Sequence, residues 1–282
     1  MRVGLRANLR DDLQLVEVDG HRMHVFATGD ADKPRLVLMA GSGTVAPVYD
    51  FKVLYEQLAS DFRVIVVEKF GYGYSDLHEG PCDIDSLVSL QRRALAQAGE
   101  EGPYVLMPHS MSGLEAIRWG QLHPGEVKAI IGLDMATPRS YGAWDKDAVD
   151  RRIRLMRRMR LLNRFGLLFW YPLSTRALSR EEARQQRLLF RRNAMNACYE
   201  NEARTVLDNA AIVDAAGAID CPVLMFVSDG SQTSPGWVGH ALEFAEATGA
   251  RVVQLACGHY VHHYESRRIC EEILCFMGEL EG

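Results

Sequence analysis

The chain has 282 residues, of which 48% are apolar and 24% are charged. This balance is typical of a folded globular protein and excludes a fibrous or largely disordered chain. The formal net charge of -5 gives no overall field that would attract nucleic acid or an anionic membrane, so small-molecule chemistry is the favoured class of function.

The N-terminus and the cysteines bear on where the protein works. Met1–Arg10 holds three arginines and no apolar run long enough for a signal peptide or a transmembrane helix, which predicts a cytoplasmic location. Six cysteines are scattered along the chain without a C-x-x-C pair. They predict reduced thiols, several of them in the core, rather than a disulfide framework.

Short apolar runs alternate with longer helical patterns along the chain, which predicts a mostly parallel sheet with helices on both faces. Leu13–Val18 and Arg22–Ala27, joined by Asp19-Gly20, predict an opening antiparallel hairpin. The later runs are almost wholly apolar, as in strands that are buried on both faces. Strands are predicted at 35–39, 63–67, 104–107, 127–133, 222–227 and 251–255, and helices at 49–59, 84–98, 111–122 and 266–277.

The strand pattern disappears from Pro138 to about Ala218, where helix-forming residues and arginines dominate. We expect residues 138–218 to form a helical cap inserted in a core made of residues 1–137 and 219–282. The apolar run Leu167–Tyr171 predicts both the lining of an acyl or aromatic pocket and the cap's own core.

One helix of this insertion is basic and amphipathic. Six of its arginines alternate with apolar residues: Arg151, Arg152, Arg154, Arg157, Arg158 and Arg160. Such a helix can lie on a membrane or face an anionic substrate. The favoured interpretation is a cap helix with a solvated arginine face, and membrane contact is the less favoured alternative.

Ser110 lies between a predicted buried strand and the helix that begins at Met111. This is the context of a nucleophile elbow, a strained turn that requires small residues two positions before and two after the serine. Ser112 is small and Gly113 follows it, but Pro108 departs from the pattern because proline fixes φ and removes an N–H. The competing interpretation is that Ser110 only caps the helix, as serine often does.

A candidate general base follows a later strand. Gly258-His259 comes after the strand 251–255 and before the last helix, where a loop at the sheet's edge would carry the base. The chain order serine, acid, histidine is the order found with this type of elbow.

A glycine-rich segment, Gly41-Ser42-Gly43, follows the predicted strand 35–39. Backbone N–H groups at Ser42 and Met111 are the predicted oxyanion hole. The same glycines, with Ala46 and Asp61, also match a dinucleotide-binding fingerprint. We favour the oxyanion hole, because a single match to that fingerprint is weak and the segment follows a hairpin instead of opening the domain.

From Leu36 to Phe276 the order of these elements resembles the α/β-hydrolase superfamily. Glu68–Asp76 is similar to a strand-end loop that carries Gly-x-Gly-x-Ser in many members, and His109-Ser110-Met111 matches the His-Ser-Met core of many elbows. The resemblance implies an eight-stranded sheet, a helical cap over the site and no cofactor. It does not imply a substrate.

Two aspartates compete to orient His259. Asp229 ends a strand where this superfamily usually carries the acid, but the expected position, counted from Pro222, falls at Ser231. Asp134 ends the preceding strand and resembles the placement of the acid in the vertebrate pancreatic-type lipases. We favour Asp134, with Asp229 as the alternative acid; for either residue a turn or capping role is also possible, since aspartate is common at strand ends.

His262 and His263 follow His259 closely, but no carboxylate or cysteine pattern supports a metal site, and a catalytic zinc wants three protein ligands. We therefore predict no metal and expect these two histidines at the cap or the pocket rim.

The predicted activity is hydrolysis of an ester, or a related acyl compound, of a small or medium apolar acid. His259 removes the Ser110 proton, and the serine attacks the carbonyl carbon. An aminopeptidase or carbon–carbon bond hydrolase on the same triad, and a cap-gated small-molecule binding protein with slow hydrolysis, remain as alternatives because the fold does not choose among them. The arginine-rich insertion argues against a peptidase.

Overall fold

The computed structural model describes residues 13–168, 170–174 and 176–281, so the predictions made for Met1–Arg10 and for Phe169 lie outside the described residues. Eight strands form one sheet in the spatial order β1-β2-β4-β3-β5-β6-β7-β8. They are β1 (Leu15–Val18), β2 (His21–Thr28), β3 (Arg35–Met39), β4 (Arg63–Glu68), β5 (Tyr104–Pro108), β6 (Val127–Leu133), β7 (Val223–Val227) and β8 (Arg251–Gln254). The predicted fold class is confirmed.

The first two strands form the predicted antiparallel hairpin. Asp19 and Gly20 connect them with φ angles of 53° and 72°, the left-handed pair that a two-residue turn needs to match the strand twist. β2 is also antiparallel to β4, and every later pair is parallel. The carboxyl ends of β3, β5, β6 and β7 therefore meet along one edge of the sheet, where the polar residues that follow them come together.

The described helices pack on both faces of the sheet and above this edge. They are α1 (Pro47–Asp50), α2 (Lys52–Leu58), α3 (Ile84–Gln97), α4 (Ser112–Leu122), α5 (Lys146–Arg164), α6 (Arg180–Asn193), α7 (Ala197–Ala215), α8 (Trp237–Thr248) and α9 (Val261–Glu281). The single helix predicted at 49–59 is two helices that meet at Phe51. None of these helices is both long and apolar enough to cross a bilayer.

The segment between β6 and β7 contains α5, α6 and α7 and no described strand. Two asparagines tie it to the loop that follows β4. Asn193 Nδ2 donates to the Gly73 carbonyl oxygen at 2.7 Å, and Asn196 Nδ2 donates to the Gly71 carbonyl oxygen at 2.7 Å. Asn196 also caps α7, since its side-chain oxygen accepts from Cys198 N, so the inserted helices are anchored by buried side-chain to backbone bonds.

A buried ionic network joins the same loop to α4 and α7. Lys69 Nζ lies 2.6 Å from Glu115 Oε1 and 3.2 Å from Glu202 Oε1. Gln91 donates to the second oxygen of Glu115, and the Tyr72 hydroxyl donates to the second oxygen of Glu202. Burial raises the pKa of Glu115 more than the Lys69 charge lowers it. The network thus holds one cation between two carboxylates away from solvent.

Candidate active site

Ser110 occupies the sharp turn between β5 and α4. Its φ of 55° is left-handed, a strained conformation for a serine, as a nucleophile elbow requires. Two glycines make room for this turn. A Cβ on Gly41 would lie 2.6 Å from Ser110 Cβ, and a Cβ on Gly113 would lie 2.2 Å from the Ala136 carbonyl oxygen. The loop after β3 and the segment after β6 therefore approach the elbow closely.

Pro108, two residues before the serine, is the last residue of β5. On one side of it, His109 N donates to the Met39 carbonyl oxygen at 2.9 Å. On the other side, the pairing with β6 stops at Leu106 and resumes at His109, so the proline lies where that ladder is interrupted. A missing N–H is tolerated there, which explains how the elbow accommodates a proline in place of the usual glycine.

Three side chains from three sheet-edge loops form a continuous hydrogen-bonded chain. Ser110 Oγ lies 2.8 Å from His259 Nε2, and His259 Nδ1 lies 2.6 Å from Asp134 Oδ2. Asp134 is buried, whereas His259 is partly exposed. A buried carboxylate on Nδ1 fixes the tautomer in which Nε2 can accept the serine proton.

The two candidate acids differ in their surroundings. Asp134 follows β6 with a φ of 43°, and its Oδ1 accepts a hydrogen bond from Ser228 N at 2.9 Å. Asp229 is exposed, and its carboxylate accepts from Ser231 N at 2.8 Å. Hydrogen bonding to the Ser231 side chain, and then to its backbone, lowers the pKa of Asp229. The structure thus brings Asp134 to His259 and places the Asp229 carboxylate in an Asx turn facing solvent.

The predicted oxyanion donors flank the serine. The loop that carries Ser42 lies against Ser110 through Gly41, and Met111 is the residue directly after the serine. Within the described residues, neither Ser42 N nor Met111 N has a hydrogen-bond acceptor. Two unoccupied N–H groups beside a nucleophile are suited to stabilising a developing oxyanion.

Aromatic side chains pack against the ring of His259. The ring of His109 lies 4.8 Å from that of His259 and 5.0 Å from that of His262, and His109 Nε2 donates to the His259 carbonyl oxygen at 3.2 Å. Burial and the two neighbouring imidazoles lower the pKa of His109 well below its usual value. His109 is therefore a neutral imidazole packed against the ring of His259.

Next to these rings lies a polar cluster that sequence reasoning missed. His262 Nε2 lies 2.9 Å from Asp50 Oδ2, and His263 Nε2 lies 3.1 Å from Asp50 Oδ1. Burial raises the pKa of Asp50, but the two imidazoles outweigh it and the pKa is lowered. Burial lowers the pKa of His263, but the hydrogen bond and charge of Asp50 outweigh it and the pKa is raised.

The prediction that His262 lies at the cap or rim is wrong, because its side chain is fully buried under α2. The three donor atoms of the cluster lie within 4.8 Å of one another, so Asp50, His262 and His263 form a set that could hold a metal ion. Hydrogen bonds between the carboxylate and the imidazoles already account for these contacts. The separation of Asp50 and the histidines along the chain explains why the sequence shows no metal-binding pattern there.

A cavity of about 280 Å³ opens beside the loop that follows β3. Its wall combines Gly43 and Thr44 of that loop, Tyr260 next to His259 in the chain, and apolar residues of the inserted helices. The inserted segment contributes Met159, Leu168, Tyr171, Pro172, Leu173 and Phe190 to the wall. Asp50, His263, Ser174 and Gln186 add polar groups, so the cavity suits a mainly apolar group that also carries polar atoms.

The dinucleotide alternative does not fit this arrangement. Gly41 follows the carboxyl end of β3, whereas Asp61 precedes the amino end of the parallel strand β4 and is exposed. The two residues therefore lie at opposite edges of the sheet. An acidic residue there cannot reach a ribose that is held at the glycine-rich loop.

One family model and one curated relative each cover most of the chain. Residues 36–272 match the model of a family described as the alpha/beta hydrolase family. The uncharacterized protein YbdG of Bacillus subtilis is 31% identical over 278 residues, covering 93% of this chain and 85% of that protein.

Two solved structures share the fold at low identity. The enol-lactonase of Burkholderia xenovorans is similar with a TM-score of 0.71 and 18% identity, covering 94% of this chain and 100% of that one. A loop variant of the haloalkane dehalogenase DbeA of Bradyrhizobium elkanii is similar with a TM-score of 0.64 and 19% identity, covering 96% and 97%. Their named activities differ although the fold is common, so the chemistry must be argued from the site.

Proposed function

This chain belongs to the alpha/beta hydrolase family, and from that premise we propose that it is a serine hydrolase acting on an ester, or a related acyl compound, of a small to medium apolar acid. The observation that carries the proposal is the continuous chain from Ser110 Oγ through His259 to Asp134, with distances of 2.8 and 2.6 Å. A serine held in this way is an activated nucleophile for a carbonyl carbon.

In the proposed reaction, His259 Nε2 takes the hydroxyl proton as Ser110 Oγ bonds to the carbonyl carbon. The carbonyl oxygen becomes an oxyanion that accepts hydrogen bonds from the N–H groups near Ser42 and Met111. The tetrahedral intermediate collapses, the alcohol leaves with the proton from His259, and an acyl-enzyme remains. Water, deprotonated by His259, then attacks the acyl carbon, and the acid is released as Ser110 regains its proton.

The cavity wall supports the substrate class. Its inserted-segment side is mainly apolar, with Ser174 and Gln186 as the polar residues, and its only described carboxylate, Asp50, is engaged by His262 and His263. A peptidase that selects a free amino group needs an anionic group available to the ammonium ion. Asp50 does not offer one, so esters of apolar acids are favoured over aminoacyl amides.

The test is active-site labelling. A fluorophosphonate probe is expected to label the wild-type protein, and Ser110→Ala is expected to abolish labelling and the turnover of p-nitrophenyl esters. Ser231→Ala, which alters a serine in the exposed turn after β7, serves as the matched control and should behave like the wild type. Labelling that persists in Ser110→Ala would refute the proposal. A panel of esters, lactones and amino-acid arylamides then ranks the substrate classes.

A further inference from the structure

The exposed side of α5 combines positive charge with apolar side chains. The buried side of this helix carries Val149, Ile153 and Met156, which pack towards the core of the molecule. The opposite side carries residues at spacings of three and four that are exposed to solvent. We name it the basic-apolar face and define it by Arg151, Arg154, Leu155, Arg158, Leu161 and Phe165.

The arginines of this face differ from their neighbours on the same helix. Arg157 and Arg160 pair with Glu200, whose pKa they and Arg204 lower to about 2. Arg151, Arg154 and Arg158 form no ion pair with any described residue. The two acids nearest to them on the helix, Asp147 and Asp150, lie in its first turns and leave the rest of the face positive. The local charge is thus opposite in sign to the net charge of the chain.

The apolar part of the face is unusual for a surface in water. Phe165 is 72% exposed, and Leu155 and Leu161 are more than half exposed. The turn that follows adds Leu167 and Trp170, which is 86% exposed. These two side chains were predicted to line a pocket or the cap's own core, and they do neither. Several large apolar side chains exposed within one segment, residues 155–170, are the composition of an interaction site.

We propose that the basic-apolar face docks on an anionic lipid bilayer. Arginines beside exposed phenylalanine, leucine and tryptophan form the pattern of an interfacial helix, in which cations meet lipid phosphates and apolar side chains enter the acyl boundary. A second protein surface would also cover apolar side chains, but Arg151, Arg154 and Arg158, which form no ion pair with a described residue, call for an anionic surface as well. Charge complementarity therefore favours the anionic bilayer.

Docking in this way places the cavity next to the bilayer. Met159 on α5, with Leu168 and Tyr171 after it, lines the cavity, while Phe165 and Leu167 between them face outwards. The segment 159–171 thus carries side chains of the proposed membrane-binding surface and part of the cavity wall. Taken together with the proposed function, on which this step rests, the arrangement favours an ester that partitions into lipid.

The test is cosedimentation of the full-length protein with vesicles of phosphatidylcholine alone and of phosphatidylcholine with one-third phosphatidylglycerol. The Ser110→Ala variant is used, because binding then needs no turnover and a failure here is separate from a failure of the proposed activity. We expect binding to the anionic vesicles only, and weaker binding at high salt, since salt screens exposed charges.

Two variants with matched controls locate the surface. Arg154→Glu with Arg158→Glu is expected to lower the partition coefficient by more than about tenfold, since each arginine near an anionic surface contributes roughly fivefold. Arg267→Glu with Arg268→Glu makes the same change of charge on α9 and should bind like the parent. Phe165→Ser is expected to weaken binding, and Leu274→Ser on α9 is not.

Three outcomes would overturn the proposal. They are equal binding to neutral and anionic vesicles, equal loss in the α5 and α9 variants, and no vesicle binding at all. If no vesicle binding is found, sedimentation equilibrium measures the oligomeric state of the protein. Self-association abolished by Phe165→Ser would assign the face to a second copy of this chain instead of a bilayer.

Discussion

The carboxylate of Asp134 lies 2.6 Å from the imidazole of His259, measured from Oδ2 to Nδ1, although Asp229 is much closer to this histidine along the chain. The buried position of Asp134 and its second hydrogen bond from Ser228 N hold the carboxylate in place. Asp134→Asn is therefore expected to lower kcat by about 10⁴, the loss produced when an amide selects the wrong tautomer of the base.

Asp229→Asn is the matched variant, because it makes the same chemical change at the next strand end. We expect it to retain at least two orders of magnitude more kcat than Asp134→Asn, a difference of roughly 2.7 kcal/mol in the barrier. Steady-state ester kinetics measure kcat of the two variants, and circular dichroism verifies that both are folded. The reverse ranking would assign the acid to Asp229.

The sheet and the elbow were predictable because their signals are local. A short run of β-branched and aliphatic residues, such as Leu36–Met39 or Val64–Val67, between turn signals indicates a strand buried on both faces. Ser110 was recognisable from the strand before it and the helix after it. The exception at Pro108 could not be explained from the sequence, since it depends on where the ladder between β5 and β6 is interrupted.

The polar clusters were not predictable, because their members are far apart along the chain. Asp50 bonds His262 across 212 positions, and Lys69, after β4, pairs with Glu202 on the inserted helix α7. Each of these residues alone is compatible with an ordinary surface position. Only the topology, which brings strand ends and α9 to one edge, makes them neighbours.

The approach of Gly41 to Ser110 leads to a second prediction. A Cβ at Gly41 would lie 2.6 Å from Ser110 Cβ and 2.8 Å from the His109 carbonyl oxygen. Gly41→Ala must therefore displace either the loop after β3 or the turn at Ser110. A displacement of 1 Å can cost about 10²-fold in rate, so we expect kcat/KM and the rate of fluorophosphonate labelling to fall by at least about tenfold. Gly239→Ala on α8, where the new methyl meets nothing within 4 Å, is the control. Unchanged labelling in Gly41→Ala would contradict the assigned position of the loop.

Asp50 and His263 predict a dependence of stability on pH, which the pKa of His262, lowered by burial, partly offsets below about pH 6.5. Because the pKa of Asp50 is lower in the folded protein than its value of about 4 in the unfolded chain, the ionised carboxylate adds stability above about pH 4. This stability is lost as the pH falls through the folded-state pKa. Because the pKa of His263 is higher in the folded protein than its value of about 6.5 in the unfolded chain, the charged imidazole adds stability below about pH 6.5. This stability is lost as the pH rises through the folded-state pKa. The pair therefore contributes most between about pH 4 and 6.5.

Asp50→Asn should accordingly destabilise the protein more at pH 5.5 than at pH 9, by about 2 kcal/mol at the lower pH because buried charge-assisted hydrogen bonds are weakened. Urea unfolding at the two pH values measures the difference. Asp229→Asn, which removes an exposed carboxylate, should show little change at either pH. A larger loss at pH 9 would mean that His263 is not the charged partner of Asp50.

The last prediction concerns the buried network of Lys69. Because Glu115 and Glu202 both lie within 3.2 Å of Lys69 Nζ, Lys69→Met leaves two buried carboxylates without a cation. Removing one partner of a buried ion pair costs roughly 3 to 5 kcal/mol of unfolding free energy. The two carboxylates then repel each other, so one takes up a proton, and its raised pKa makes the stability of the variant fall more steeply than that of the wild type between pH 5 and 8. Urea midpoints at pH 5 and at pH 8 report this slope.

Adding Glu115→Gln to Lys69→Met removes one of the unpaired charges and should recover part of the loss at pH 8. The control is Arg267→Met, which breaks an exposed pair with Glu271 and should stay within about 0.5 kcal/mol of the wild type. If the double variant were no more stable than Lys69→Met at pH 8, the loss would come from packing of the lysine stem and not from uncompensated charge.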